Sequence, residues 1–473
     1  MRGGFERKEF HAADFTRWIM QPFSKTFSFM QALISPAPAT SYSPAVQRKV
    51  ALAACFGSFL EWYDFLTFAS LATVFGELFF PGDDPTVRLL QSLATFGVGM
   101  VVRPLGAALF GSLGDRYGRR IVFIATIVLM GVATFAVGLL PVHADVGFVA
   151  PLLLVCLRLL QGLAMGGEIG GAIVYLTEHA PLERRGTTTS VLQLMGPLGV
   201  MTSTFQIVLL QRWLSESEFL SWGWRVPFLL SALLLAVSMK SRMALHESPV
   251  FKSLSDNRQV AKTPLRDCLA DPLTRKRMVL LFFCISSGGS LLFFSSQVYA
   301  PVFLKTVAGM NSTLVGELTI AATLLLFPFT ILAGWLSDRI GRRPVLLAGL
   351  LLGAAGVMPV YWGLMNFGGA QVDSLAVVGL LLVLVTAVAL ITGPQTAFLA
   401  ELFPARTRYS AVGLPHNLAA GWIGGMSPFM VTLIAKQTDS PLAGLLYPTL
   451  LLVVAFTVGW FFLPETRGKN LND

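Results

Sequence analysis

The sequence predicts an all-α polytopic membrane protein, with twelve transmembrane helices arranged as two pseudo-symmetric six-helix bundles. Three observations lead there: a composition too poor in charge to face water, twelve apolar stretches of spanning length, and a motif that recurs at an offset of 223 residues.

Of the 473 residues, 54% are hydrophobic and only 13% charged, and the mean hydropathy is +0.67. A water-soluble protein carries about 25% charged residues, because its surface has to face water. Lipid must therefore cover much of this surface. A helix needs about 20 mostly apolar residues to cross the hydrocarbon core. Such stretches centre near residues 64, 101, 130, 163, 199, 232, 291, 324, 353, 387, 422 and 452. They are too long, and too irregular in alternation, for the strands of a barrel.

Assigning the loops alternately to the two sides places 28 of the 35 Lys and Arg on the side that holds both termini. Five lie opposite (Arg88, Arg212, Arg225, Lys305 and Lys436), and Arg103 and Arg158 fall inside helices. This asymmetry predicts cytoplasmic termini. The net charge of +9 thus reports topology, and no basic stripe with interleaved aromatics points to nucleic acid. The four cysteines (Cys55, Cys156, Cys268 and Cys284) have no metal-ligand spacing, so neither a metal nor a disulfide framework is expected. Near the N-terminus, Ala37-Pro38-Ala39 resembles a signal-peptidase site. Cleavage there would leave an outside terminus against the basic Arg48-Lys49 pair, so residues 1–48 read as a cytoplasmic extension holding an interfacial helix.

The repeat is explicit. Residues 111–120 read GSLGDRYGRR and residues 334–343 read GWLSDRIGRR, seven of ten positions being identical. The same offset pairs Glu178 with Glu401, Pro181 with Pro404 and Arg185 with Arg408. The chain then divides into the extension 1–48, an N-terminal bundle 49–241, a charged cytoplasmic linker 242–276, a C-terminal bundle 277–464 and a cytoplasmic tail 465–473. Gly118 and Gly341 allow tight turns. Asp115 and Asp338 suit bonds from neighbouring Arg side chains or from the N-terminus of a helix in the other bundle. For Arg120 and Arg343 a simple role as positive-inside anchors stands equally well.

The GxLxDRxGRR pattern between the second and third helices, echoed between the eighth and ninth, resembles the most specific motif of the major facilitator superfamily. The resemblance runs from about residue 49 to Pro464-Glu465-Thr466-Arg467-Gly468. FLEWYDF at 59–65, VRPLGA at 102–107 and RLLQGLAMGGE at 158–168 look like its metabolite:proton symporters, which carry shikimate, 2-oxoglutarate, citrate or proline and betaine. The resemblance implies two bundles rocking about a central site, with loop motifs that latch one conformation. The gating candidates are Asp115, Arg116, Arg119, Glu178, Arg185, Asp338, Arg339, Arg342, Glu401 and Arg408.

An ionisable side chain at mid-bilayer costs at least ~2.5 kcal/mol, which makes each one a functional candidate. Glu61 and Asp64 share a face of the first helix. Arg103, Arg158 and Glu168 complete a set of three acids and two bases, all in the N-terminal half. Full ionisation leaves one negative charge unpaired, so one acid is expected to carry the proton: Asp64 first, then Glu61 or Glu168. Arg103 suits a substrate carboxylate through bidentate bonds. Arg158 reads either as a second substrate cation or as a static partner of Asp64 or Glu168. Gln161, Gln193, Gln297, Tyr299, Gln395, His416 and Asn417 complete the substrate-binding candidates, His416 reading equally as a pH sensor or a packing histidine. Gly413, Pro415, Gly421, Gly424, Gly425 and Pro428 mark the eleventh helix for bending.

No HExxH, GxSxG or Walker A pattern occurs, so no enzyme, no ATP site, no metal and no cofactor are expected, the energy coming from a proton gradient. The expected function is proton-coupled import of a small organic acid across the bacterial inner membrane by a monomer, its partners being that solute, protons and the lipid bilayer. Proton-driven efflux of aromatic acids or drugs, a proline- or betaine-like symporter, and a non-transporting sensor on the same fold are the alternatives. Gly196-Pro197-Leu198-Gly199 only partly resembles the drug/proton antiporter pattern, which weakens the efflux reading.

Overall fold

In a computed structural model the described residues are 44–117, 119–167, 172–173, 176–177, 180–243, 264–369, 372–403 and 408–469; side chains of 44–54, 111–112, 114–123, 241–243, 264–265 and 409 are not described. They are helical, with no strand among them. Among the described residues, ten helices are long and apolar enough to span a bilayer. Pro44–Ser70 and Arg119–Gly138 fill the first and third places of the twelve predicted. In chain order we label them α1 (Pro44–Ser70), α2 (Pro85–Phe110), α3 (Arg119–Gly138), α4 (Val149–Gly166), α5 (Leu182–Trp213), α6 (Gly223–Lys240), α7 (Pro272–Thr306), α8 (Ser312–Ile340), α9 (Arg342–Phe367), α10 (Ser374–Leu402), α11 (Ser410–Gln437) and α12 (Ala443–Phe462). The first begins at Pro44, five residues before the Lys49 start expected, proline being tolerated in a first turn. Nearly all of the expected N-terminal extension, with its interfacial helix, lies outside the described residues.

The sequence repeat has a packing counterpart. In the first half α1 packs on α5 and α6, α2 on α4, and α3 on α4 and α6. In the second half α7 packs on α11 and α12, α8 on α10, and α9 on α10 and α12. Each pair maps onto the other by a shift of six helices. The halves meet through α5 against α8 and α10, and through α2 against α11.

Small residues permit these approaches. A methyl group on Gly162 of α4 would collide with the Gly99 carbonyl of α2, and one on Gly421 of α11 with the Met100 carbonyl. Asp271, at the start of α7, accepts from the Thr274 amide at 2.9 Å and its hydroxyl at 2.6 Å, a capping arrangement. Both α5 and α11 are interrupted near mid-length. The first breaks at Leu194, before Gly196-Pro197, and the second widens into a π-helical stretch over Ala419–Gly425, where three of the expected bending glycines lie. Two further π-helical stretches, Phe282–Ser286 and Phe294–Tyr299, interrupt α7.

Candidate functional site

Arg103 follows a turn at Val102 and is fully buried at the junction of the halves. Its Nη1 donates to Met100 Sδ at 3.5 Å, and its guanidinium carbon lies 6.0 Å from the Trp62 ring centroid. Its Nε and Nη2 have no hydrogen-bond partner among the described residues. Glu61 is the acid whose charge reaches Arg103, and the Arg103 charge in turn reaches His416 of α11. His416 Nδ1 lies 3.3 Å from the Ser286 hydroxyl of α7. Trp62 packs on Phe293 of α7 with centroids 5.2 Å apart, and Gly196 of α5 leaves room beside both rings. The center is therefore built from both halves, a cation and an indole from one and a phenyl and an imidazole from the other.

Arg158 is placed differently. It is sealed inside the first half, its Nη1 donating to Gln161 Oε1 at 2.7 Å and its guanidinium lying 3.8 Å above the Phe68 ring and 4.9 Å above that of Phe65. Gln161 Nε2 donates to the Thr134 hydroxyl at 2.6 Å, and Asp64 sits against both Arg158 and Thr134. Asp64 Oδ1 has no hydrogen-bond partner among the described residues. Glu61 and Asp64 both line a cavity of about 10 Å³ with Thr126, Met130 and Met165, room for about one water. Glu168 lies outside the described residues.

The remaining polar candidates separate into three groups. Gln193 Nε2 donates to the Thr396 hydroxyl at 2.8 Å, a bond between the halves, and Asn417 Nδ2 reaches the Gly166 carbonyl at 3.4 Å from the other direction. Gln395 lies against Gly289 of α7. Gln297 accepts from Thr323 at 2.9 Å, and Tyr299 packs 5.7 Å from Tyr361, both within the second half.

At the basic end, the second copy of the decapeptide closes on the start of α5. Asp338 accepts from the Gly186 and Thr187 amides at 2.8 Å each, and from the Thr187 hydroxyl at 2.7 Å, at the start of an α5 segment. Arg342 Nη1 donates to the same carboxylate at 2.6 Å. Both geometries anticipated for this aspartate are thus present together. Glu401 receives Arg185 at 3.0 Å and Arg342 at 3.3 Å, so two acids and two bases balance. Arg408 bonds the Ala400 and Phe403 carbonyls at 2.8 and 3.1 Å. Arg339 is exposed and stacks on Trp335 at 4.1 Å, outside this cluster. The side chains of Asp115, Arg116, Arg119 and Glu178 lie outside the described residues.

Sequence reasoning missed part of this cluster. Glu465 accepts from the Arg342 and Arg343 amides at 2.9 and 3.1 Å, across the turn where Gly341 has φ 105°. The Thr466 hydroxyl donates to Glu401 at 2.8 Å, and the Lys469 carbonyl accepts from Arg185 at 3.1 Å. The PETRG segment was legible as a motif, but nothing in it names its partners. Trp62 and Phe293 were missed because aromatics in a span read equally as lipid-facing.

The sequence profile of the Major Facilitator Superfamily matches residues 50–414 and 299–473. The chain belongs to the major facilitator superfamily. This transporter is 35% identical over 395 residues to the inner membrane metabolite transport protein YhjE of Escherichia coli K12, covering 82% of this chain and 88% of the relative. It is 32% identical over 435 residues to the proline/betaine transporter of Salmonella typhimurium, covering 90% and 85%. The fold is also that of the proton:xylose symporter XylE bound to 6-bromo-6-deoxy-D-glucose, at a TM-score of 0.72 and 20% identity, over 91% of this chain and 98% of that one. This transporter is accordingly a multi-pass membrane protein of a family of carriers, which are not enzymes.

Proposed function

We propose that this transporter couples proton entry to the uptake of a small carboxylate-bearing metabolite by alternating access, as a monomer in the bacterial inner membrane with its basic end in the cytoplasm. The observation that carries this reading is Arg103, a fully buried guanidinium at the junction of the halves with two donors unmet among the described residues. Arg presents a planar fork that matches a carboxylate. Asp64 is the proposed proton carrier, with Glu61 and Glu168 as runners-up. The water-sized cavity shared by Glu61 and Asp64 supports a short proton path between them. Arg158 and Gln161, enclosed in the first half, fit a positioning role toward Asp64 better than substrate contact. The cluster of Asp338, Arg342, Glu401 and Arg185 acts as the cytoplasmic latch.

A second reading, a zwitterion such as a betaine, draws on the Trp62–Phe293 pair, since aromatic faces bind quaternary ammonium groups. The Salmonella relative, a proline/betaine transporter, points the same way. Reconstituted vesicles with an acid outside, given labelled succinate, glycine betaine or benzoate, test both. Accumulation of one of the first two is expected, and extrusion of benzoate alone would establish the efflux alternative. Asp64→Asn should exchange solute yet fail to concentrate it. Unchanged coupling in that variant would remove Asp64 as the carrier.

A further inference from the structure

A second cavity lies between the halves at the end away from the latch. Its walls come from α1 and α5 on one side and from α7 and α8 on the other. Lys305, Gln297, Gln211, Thr204, Thr319 and Ser312 supply most of its polar groups, and among the described residues no acid lines it. Lys305 has no carboxylate partner among them either. Among the described residues, the two acids that bridge the halves at this end are already engaged, Glu317 by Arg212 at 2.5 Å and Asp84 by Lys436. A partly buried ammonium without a counter-ion, ringed by neutral amides and hydroxyls, is an anion-attracting site. From that cavity α7 leads inward through Gln297 to Phe293, which touches Trp62 at the center; Lys305 and Phe293 are at most ~18 Å apart along the helix.

We propose that this cavity is an entry subsite in which Lys305 captures the carboxylate of the arriving solute before it passes to Arg103. The subsite rests on the reading that the solute carries a carboxylate. In the closed form the space is narrow, about 30 Å³, room for a water or two. It admits solute as the Arg212–Glu317 and Lys436–Asp84 bridges part.

The test uses the full chain carrying Ser312→Cys as a reporter in the cavity wall and Cys156→Ser to remove the exposed thiol. Labelling rates are compared for a sulfonate-bearing and a trimethylammonium-bearing methanethiosulfonate of similar size. With Lys305 present the anionic reagent should react about tenfold faster. That preference should vanish in Lys305→Gln and persist in Lys305→Arg, and succinate should slow the labelling more than chloride at equal ionic strength. A preference independent of residue 305, or equal protection by chloride and succinate, overturns the subsite. Labelling requires no turnover, so the two readings fail separately. Arg103→Lys should impair uptake and leave the labelling preference intact. Carboxylate uptake without a Lys305-dependent preference refutes the subsite alone. A preference in a protein that carries no carboxylate refutes the proposed substrate, and the subsite's purpose with it.

Discussion

Replacing Asp338 by asparagine preserves the shape of the side chain and removes its charge at the point where the two halves are joined. Asp338 accepts three bonds from α5 of the other half at 2.7 to 2.8 Å, and a fourth from Arg342 of its own half at 2.6 Å. Hydrogen bonds to a charged group contribute about 1.5–3 kcal/mol each. Asparagine retains one acceptor oxygen and presents an NH₂ to donors on the other side. Water takes over these donors when the halves part, so only the difference between the closed and open forms counts. The closed form loses about 3 kcal/mol, at the lower end of the range for breaking a buried ion pair. At 1.36 kcal/mol per tenfold, the closed form is disfavoured by roughly 150-fold. Ser190 lies buried beneath this contact, between α5 and α8. In detergent, with Cys156→Ser as background, maleimide should label Ser190→Cys at least about tenfold faster once Asp338→Asn is added. Arg339→Gln, beside the cluster and outside it, should leave the rate unchanged. Equal rates with and without Asp338→Asn, in proteins of equal melting temperature, would refute the latch.

Arg103→Lys should raise the apparent KM for carboxylate uptake by about tenfold or more with little change in protein abundance, because a point charge replaces a fork; equal uptake curves would exclude substrate contact. Gly162→Ala forces a methyl into the Gly99 carbonyl and should destabilise the protein by about 1–3 kcal/mol, seen as a lower melting temperature. Gly379→Ala, with open space around it, should melt like the parent. At the far end, the Lys436 ammonium and the Thr86 and Val87 amides hold the Asp84 carboxyl below the ordinary value of 3.8. Its contribution is present above that value and lost only as pH falls through the depressed one. Labelling at Ser312→Cys by an uncharged methanethiosulfonate, corrected for thiolate fraction, should therefore stay flat between about pH 5 and 8 and rise in Asp84→Asn; a rise on acidification alone would contradict this.

The helices were legible because lipid imposes a length and forbids unpaired backbone, constraints visible in one dimension. The contact between the halves at Asp338 was half legible. A repeated Asp beside a basic run announces a helix-capping contact, and Asp338 makes one, yet its pairing with Gly186 and Thr187 spans about a third of the chain. Arg158 shows why depth alone misleads. The sequence places it in the membrane, but only the fold reveals its bond to Gln161 and the Phe68 ring beneath it. Lys305 shows the converse: counted by sequence as a boundary charge, it lines a cavity between the halves. The offset of 223 also sharpens the asymmetry of the two halves. It carries Glu61 to Cys284, Asp64 to Ser287, Arg103 to Leu326 and Arg158 to Leu381, while Gln193 and His416 occupy equivalent positions in the interrupted α5 and α11.

The bonds from Thr466 to Glu401 and from Arg185 to the Lys469 carbonyl also set an order of assembly. Chains are made from the N-terminus, and domains generally fold in that order during synthesis. All twelve helices have therefore been synthesised before Thr466 exists, and until then Glu401 sits at the closing end without one of its donors. These two bonds therefore form only after the apolar spans have been synthesised, from a short polar segment that follows them. Truncation within Glu465–Lys469 should consequently spare membrane insertion and leave an inserted protein whose basic end is incompletely sealed.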